Sequence, residues 1–214
     1  MAKPDLETAT RAVGLTAIPD PRWSYAMAAA GLLCLQALIL HHLGQPFLSA
    51  SGRLLLWVGD PRSAETSQQL SDWYSLSHII HGFIFFGLLR LAAPRLPLGL
   101  RLLIALGVEI SWEIAENSPA VIQHYRRQAL AAGYVGDSIL NSLSDSLMMT
   151  TGFFCASRLR LAPVVAIALA LEIFTAWSIR DNLTLNVINL LAPGDWAPIR
   201  AIHDWQAAAP HRLD

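Results

Sequence analysis

Five long apolar segments alternate with short polar or Pro-rich stretches along the chain. Each segment has roughly 20 residues, the length that a helix needs to cross the ~30 Å hydrocarbon core of a bilayer. Helices satisfy their own backbone polar groups, so segments of this kind cross as helices. The pattern predicts an all-α, polytopic transmembrane helix bundle. Its spans are expected at about 23–43, 71–92, 98–117, 137–158 and 162–179.

The remaining segments organise into two tails and two interfacial pieces. Residues 1–22 are polar and predict a cytoplasmic tail, residues 23–192 the transmembrane domain, and residues 193–214 a periplasmic or interfacial tail. The apolar patch in 47–58 is too short to span, so an interfacial position is expected. The same holds for 194–206, where Trp and Ile recur at near-helical spacing.

Two of the predicted spans carry acids and amides at helical spacing. Glu109, Glu113 and Glu116 stand at i, i+4 and i+7. Asp137, Asn141 and Asp145 stand at i, i+4 and i+8. In a soluble helix this would be a solvated stripe. Within a membrane, ionisable groups are expensive and mark candidate functional sites.

Composition supports the membrane class and excludes others. The chain has 214 residues, of which 54% are hydrophobic and only 14% charged, with a mean hydropathy of +0.41. Soluble domains usually have about 25% charged residues. The net charge of −1 provides no basic field for nucleic acid. Cys34 and Cys155 both fall inside predicted spans, which argues against a structural disulfide.

Basic residues predict the orientation. The 90–101 turn and the 158–160 turn are short and rich in Arg, and they lie on the same side as the N-terminal tail. Short basic loops favour the cytoplasm. We therefore expect the N-terminus on the cytoplasmic side of the membrane and the C-terminus on the outer side.

With this topology, the polar residues of all five spans fall at similar depth. A rise of 1.5 Å per residue places them about 6 to 15 Å below the outer ends of their helices, with Gln36 in the first span and Glu172 in the fifth. The inner halves of the spans are nearly free of polar residues. The sequence therefore predicts one polar pocket that opens outward.

Three chemistries could use this pocket. His78 and His81, at i and i+3, could bind zinc or iron together with Glu113 and Asp145. Alternatively Glu113 or Asp145 could act as a general base without metal, assisted by the two histidines and oriented by Asn141. The third use is a proton or ion path. Further candidates for the pocket are Glu109, Glu116, Asn117, Asp137, Glu172, Arg180, Asp181 and Asn182.

Structural roles compete with these functional ones. A single His or Asn in a membrane helix is more often a hydrogen-bonding link between helices than a catalyst. The serines of the fourth span are typical of close helix packing. The combination of Glu109, Glu113, Asp145 and His81 is harder to explain in this way, because so many buried ionisable groups cost several kcal/mol.

Four stretches resemble a family of bacterial inner-membrane proteins of unknown function: SDWYSLSHIIHGF, WEIAENSPAVIQHYR, GYVGDSILNSLSD and IRDNLTLN. The resemblance covers about residues 65–192 and implies a multi-pass protein of the cytoplasmic membrane. A fainter similarity is to the VanZ-like membrane proteins. That similarity implies roles for His78, Glu113, Asp137 and Asn141, while Glu116 stands where those proteins usually have an amide.

Two classes of function follow. The first is a membrane-embedded hydrolase or lipid-handling protein that acts on an envelope lipid or another periplasmic substrate. The second is a non-catalytic membrane factor or transporter-like protein, whose polar network binds an ion, a lipid or a partner helix. A transporter would need polar residues that continue to the cytoplasmic side, and the inner halves of spans two to five are nearly free of them.

Overall fold

The computed structural model describes residues 21–127, 130–192 and 196–208. Over these residues the chain forms eight helices and no strand, which confirms the all-α prediction; its one β-bridge joins Val58 to Asp72. The helices are α1 (Pro21–His42), α2 (Ser75–Ala92), α3 (Leu98–Glu116), α4 (Pro119–Tyr125), α5 (Ile139–Arg158), α6 (Leu161–Ile179), α7 (Leu183–Leu191) and α8 (Ala197–Ala207). Most of the predicted N-terminal tail lies outside the described residues.

The five long helices lie where the apolar segments predict them. Three of them, α1, α2 and α6, are long and apolar enough to cross a membrane, and they indicate a membrane protein. Helices α3 and α5 have similar lengths but carry the acids and amides. Composition alone therefore marks three spans rather than five.

Local capping decides where the helices begin. The Ser138 hydroxyl accepts a hydrogen bond from the backbone N–H of Asn141, so α5 begins at Ile139. Asp137 therefore lies just before the helix, which corrects its predicted place on a helical stripe. The connection between the third and fourth predicted spans also contains a helix, α4, which Ser118 caps.

Connections between the helices differ sharply at the two ends of the bundle. At one end, residues 93–97 and 159–160 form short turns. At the other end, residues 43–74, 117–127 and 130–138 and the helices α7 and α8 form a cap over the helix ends. Of the predicted interfacial segments, 47–58 is non-helical and belongs to this cap, whereas 194–206 is largely the helix α8.

The apolar core lies in the half of the bundle next to the short turns. It contains Phe83 and Phe86 from α2, Leu106 from α3, and Met149 and Phe153 from α5. Phe86 and Phe153 meet edge to face, with 5.3 Å between ring centroids. The buried polar residues therefore lie in the other half of the bundle, nearer the cap.

Candidate functional site

A chain of buried hydrogen bonds links three helices in the half of the bundle nearer the cap. The Gln36 amide donates to the Ser142 hydroxyl over 2.7 Å. That hydroxyl donates in turn to Glu113 Oε2 over 2.6 Å, and Ser146 donates to Gln36 Oε1 over 3.0 Å. All four side chains are essentially inaccessible to solvent. These bonds hold the Glu113 carboxylate in one position.

His78 and His81 share a face of α2, as their spacing predicts, and both contact Glu109 of α3. His78 Nδ1 lies 2.5 Å from Glu109 Oε1, and His81 Nδ1 lies 3.1 Å from Glu109 Oε2. The rings stand edge to face with centroids 5.1 Å apart. A carboxylate can only accept hydrogen bonds, so each imidazole presents its Nδ1–H to Glu109.

Two further carboxylates surround the His78 ring. Glu113 Oε1 lies 3.4 Å from His78 Nδ1, and Asp145 Oδ2 lies 3.9 Å from His78 Nε2. The Ser75 hydroxyl donates to Asp145 Oδ1 over 2.7 Å and leaves the other oxygen facing the imidazole. Helices α2, α3 and α5 thus converge on one histidine.

A second polar group connects the end of α3 to the start of α5. The Asn117 amide donates to Asp137 Oδ2 and accepts from the Asp137 backbone N–H, each over 2.7 Å. The Tyr134 phenol donates to Asp137 Oδ1 over 2.9 Å. Glu116 is hydrogen-bonded to the Tyr125 phenol. Burial raises the pKa of Asp137 to about 6, although the hydrogen bonds from Asn117 and Tyr134 oppose the shift.

These groups border a cavity of about 430 Å³ between the helix ends and the cap. Its polar lining includes His78, His81, Asp145, Glu116 and Asp137. Its apolar lining comes largely from α7 and the 130–135 loop. That apolar set is Leu183, Val187, Leu190, Leu191, Leu130 and Val135. The cavity therefore has acidic and imidazole groups on one part of its wall and hydrocarbon on another.

Some predicted pocket residues lie beside the cavity rather than on its wall. Glu113 and Glu109 are fully buried behind His78. The Asn141 amide donates to the Gln69 carbonyl oxygen over 2.9 Å, so it anchors the cap and does not face the histidines. Asn117 holds Asp137, as described above.

The predicted residues at the end of α6 serve the cap. Glu172 accepts hydrogen bonds from the backbone N–H groups of Leu183 and Thr184, at 3.0 and 3.1 Å. It thereby satisfies two of the donors that the first turn of α7 leaves without a partner in the helix. Asn182 is the N-cap of the same helix. These two side chains are used by α7, so the structure does not bring them into the cavity.

Arg180 and Asp181 also lie outside the cavity. The Arg180 guanidinium donates to the Trp205 carbonyl oxygen over 2.7 Å and lies over the Trp205 ring. Asp181 accepts from Tyr74 and from Gln206, each at 3.2 Å. Burial raises the pKa of Asp181 to about 6, against the effect of its hydrogen-bond donors. Both residues attach α8 to the end of α6.

Several residues of the cavity wall were not predicted from the sequence. Tyr74, Trp112, Tyr125 and Tyr134 all line it. Tyr74 and Trp112 resemble the aromatic residues that anchor spans at a membrane surface, so their composition points elsewhere. Tyr125 and Tyr134 could have been found from the sequence, because both stand in the 19-residue connection 118–136 between the two spans that carry the acids. Long loops in compact domains are often functional.

The arrangement supports two kinds of chemistry. An imidazole between carboxylates can transfer protons to and from a bound molecule. The same donors can hold a cation, since three overlapping groups each bring one donor atom per residue within 4.8 Å. The groups are His78–His81–Glu109, His78–Glu113–Asp145 and Glu113–Glu116–Asp137.

Comparison with known proteins places the chain among relatives of similar length. A family model described as "Protein of unknown function (DUF2585)" matches residues 40–208. The UPF0314 protein of Sphingopyxis alaskensis is 51% identical over 181 residues, which cover 85% of this chain and 94% of that protein. The UPF0314 protein of Sinorhizobium fredii is 48% identical over 185 residues, covering 86% and 91%. The UPF0314 protein of Paracoccus denitrificans is 47% identical over 177 residues, covering 83% and 89%. No solved structure matches the chain. The similarity to VanZ-like proteins stays a prediction.

Proposed function

The chain belongs to the family of proteins of unknown function DUF2585, and from its cavity we propose an integral inner-membrane hydrolase that acts on an amphipathic envelope molecule such as a lipid. The observation that supports this most is the division of the cavity wall. A histidine with a facing carboxylate lies on one part, and an apolar helix covers another.

The apolar wall favours an amphipathic substrate. Leu183, Val187 and Leu190 of α7 line the cavity together with the polar groups. A volume of about 430 Å³ is within the usual range for small-molecule sites. It is enough for a polar headgroup and the first carbons of a chain, while the rest of the chain would remain in the bilayer.

The orientation that the basic residues favour supports an envelope substrate. Arg95, Arg158 and Arg160 lie at or beside the short turns, and basic residues in short loops favour the cytoplasmic side. The cap and the cavity then lie on the periplasmic side, with five spans between. This topology makes lipids of the outer leaflet the nearest substrates.

Asp145 is the best placed general base. It lines the cavity, whereas Glu113 is buried behind His78. A water molecule between Asp145 and His78 would give its proton to the carboxylate while its oxygen attacks a carboxyl or phosphoryl ester. The ester bond to the alcohol then breaks, and Glu116, which lines the same cavity, supplies the proton that the leaving alkoxide takes up.

The substitution Asp145→Asn tests this proposal. Purified protein is incubated with a phospholipid extract of a Gram-negative envelope, and the products are followed by mass spectrometry. We expect the wild type to form a hydrolysis product and Asp145→Asn to form at least about 100-fold less, because general-base catalysis contributes 10²–10⁴-fold. The control is Ser111→Ala, an exposed position on α3 whose hydroxyl bonds only its own helix.

A non-catalytic membrane factor is the second candidate. The buried bonds from Gln36 through Ser142 to Glu113 favour it, because they join three helices as a structural network would. In that case the lipid profiles of wild type and Asp145→Asn would be identical, and the variant would differ only in melting temperature or abundance. Such a result would contradict the hydrolase.

A further inference from the structure

Negative charge exceeds positive charge around His78. Glu109, Glu113 and Asp145 are all at least nine-tenths buried, and each lies within 4 Å of the His78 ring. Among the side chains that the structure describes, one ion pair contains an Arg or a Lys, and it joins Arg53 to Glu65 in the cap. The guanidinium of Arg62 lines the cavity but donates to the Gln206 carbonyl oxygen. Buried carboxylates that stay ionised are paired or bind a metal.

His78 is oriented as a ligand would be. Its Nδ1 is occupied by Glu109 at 2.5 Å. Its Nε2 faces Asp145 Oδ2 at 3.9 Å, beyond hydrogen-bonding distance. Histidines that bind metals usually donate their other ring N–H to a carboxylate, which fixes the tautomer. Glu109 is the carboxylate that accepts from the second ring nitrogen of His78, Nδ1.

Glu113 presents an oxygen without a hydrogen-bond partner. The residue is 1% exposed, and Oε2 is satisfied by Ser142. Oε1 is buried and accepts no hydrogen bond, and it lies 3.4 Å from the His78 ring. A buried carboxylate oxygen left unpaired costs free energy. One donor atom from each of His78, Glu113 and Asp145 lies within 4.8 Å of the other two, which points to a ligand that these three residues share.

We propose that His78 Nε2, Asp145 and Glu113 bind one divalent transition-metal ion, with Glu109 orienting the histidine. Donor atoms about 2.0–2.2 Å from a zinc or iron ion lie roughly 3 to 4 Å from one another, and the 3.9 Å between His78 Nε2 and Asp145 Oδ2 fits this range. A donor set of imidazole and carboxylate favours zinc, iron or manganese over calcium and magnesium, whose ligands are oxygens. The ion's two positive charges offset two of the three carboxylates.

The fourth position of the ion would face the cavity. His78 and Asp145 line the cavity wall, so a water molecule or a substrate oxygen can reach an ion between them. A metal with three protein ligands and an open position lowers the pKa of bound water. With the ion bound, Asp145 would be a ligand, and the ion would activate the water in place of the Asp145 carboxylate. Only the activation of water by the ion rests on the proposed function. Binding of the ion can be measured without a substrate.

Metal analysis of the full-length protein tests the site. The protein is purified in detergent with an affinity tag that contains no histidine, and its zinc, iron and manganese contents are measured by mass spectrometry. Samples stripped with a chelator are then titrated with each metal chloride alone while the melting temperature is followed. The variants are Asp145→Asn and His78→Gln, and the control is Glu172→Gln, a carboxylate used by α7.

We expect about one equivalent of one of these metals in the wild type and in Glu172→Gln, and at least a tenfold loss in each site variant. The stripped wild type should regain its melting temperature when the metal is added. Metal below about a tenth of an equivalent, with no thermal shift at millimolar metal, would overturn the proposal even if a variant failed to fold. Equal metal in wild type and site variants would also overturn it. A metal-loaded protein that cleaves no lipid would contradict the proposed function alone.

Discussion

At the level of single residues, buried polar side chains here are held by specific partners. Ser142 donates to Glu113 and accepts from Gln36, so one small hydroxyl satisfies two larger groups. Its spacing from the other serines predicts only close helix packing, and its role as a bridge depends on α1 and α3 being adjacent. Glu113 and Asp145 likewise differ in role because one lies behind the histidine and the other lines the cavity.

Asp181 is expected to make stability depend on pH. Its pKa is raised to about 6 in the folded protein from the ordinary value of 3.8. A raised pKa means that the folded state holds the Asp181 proton more tightly than the unfolded state does. The protonated Asp181 therefore contributes its full stability below pH 3.8, and this contribution is lost as the pH rises through 6. Relative to Asp181→Asn, the wild type should lose up to about 3 kcal/mol of unfolding free energy between about pH 4 and 7.

Melting temperatures of both proteins in detergent, taken across this pH range, measure the effect. The difference between the two proteins isolates Asp181, because every other acid titrates in both. Asp204→Asn, an exposed position on α8, is the control for a change of charge in the same region. A difference that is constant with pH, or that grows toward low pH, would contradict the expected linkage.

At the level of helices, α2 and α5 approach closely because glycines face each other across the contact. A Cβ on Gly82 would lie 2.1 Å from the Met149 carbonyl oxygen, and one on Gly152 would lie 2.1 Å from the Ile79 carbonyl oxygen. Small residues allow membrane helices to pack backbone against backbone. This close approach also sets the distance between His78 on α2 and Asp145 on α5.

Gly152→Ala is therefore expected to destabilise the bundle. The added methyl group meets backbone rather than a flexible side chain, so the helices must separate. Overpacking of this kind costs about 1–3 kcal/mol. The melting temperature in detergent should fall clearly, and any ion between α2 and α5 should bind more weakly.

Gly107→Ala is the matched control on α3. Nothing lies within 4 Å of a Cβ at that position. Because Ala favours the helix over Gly by up to about 1 kcal/mol, this variant should be as stable as the wild type or more so. If both variants melted at the same temperature, the close contact between α2 and α5 would not be a determinant of stability.

Across the molecule as a whole, polarity is arranged along the bundle axis. The apolar core lies toward the short basic turns, and the buried acids lie under the cap. A path that crosses the membrane would need polar groups through both halves. The described part of the chain therefore fits a site entered from one side better than a conduit.

Thiol labelling tests the orientation of this axis. Arg53→Cys places a thiol on the exposed cap, and Arg95→Cys places one on an exposed short turn. The native Cys34 and Cys155 are first replaced by Ala. With a membrane-impermeant maleimide and a permeabilised outer membrane, the cap position should react in intact cells. The turn position should react only after the inner membrane is opened, and the reverse pattern would contradict the periplasmic cap.

Local sequence is sufficient to predict the helical class, the positions of the five long helices and the level of their polar residues along the bundle axis. These features follow from local properties: the length of apolar runs, capping residues and a constant rise per residue. For that reason His78, His81, Glu109, Glu113 and Asp145 can be assigned to one layer from their positions in the chain alone. Proximity in depth, however, says nothing about rotation of each helix about its axis.

Which polar side chains meet depends on tertiary packing. Asn141 and Asp145 share a helix, yet Asn141 bonds the cap at Gln69 while Asp145 faces His78. Glu172 has the right depth but caps α7. The wall supplied by α7 and the tyrosines comes from segments far apart in the chain. Contacts of this kind depend on how helices rotate and pack against one another, which local sequence patterns do not encode.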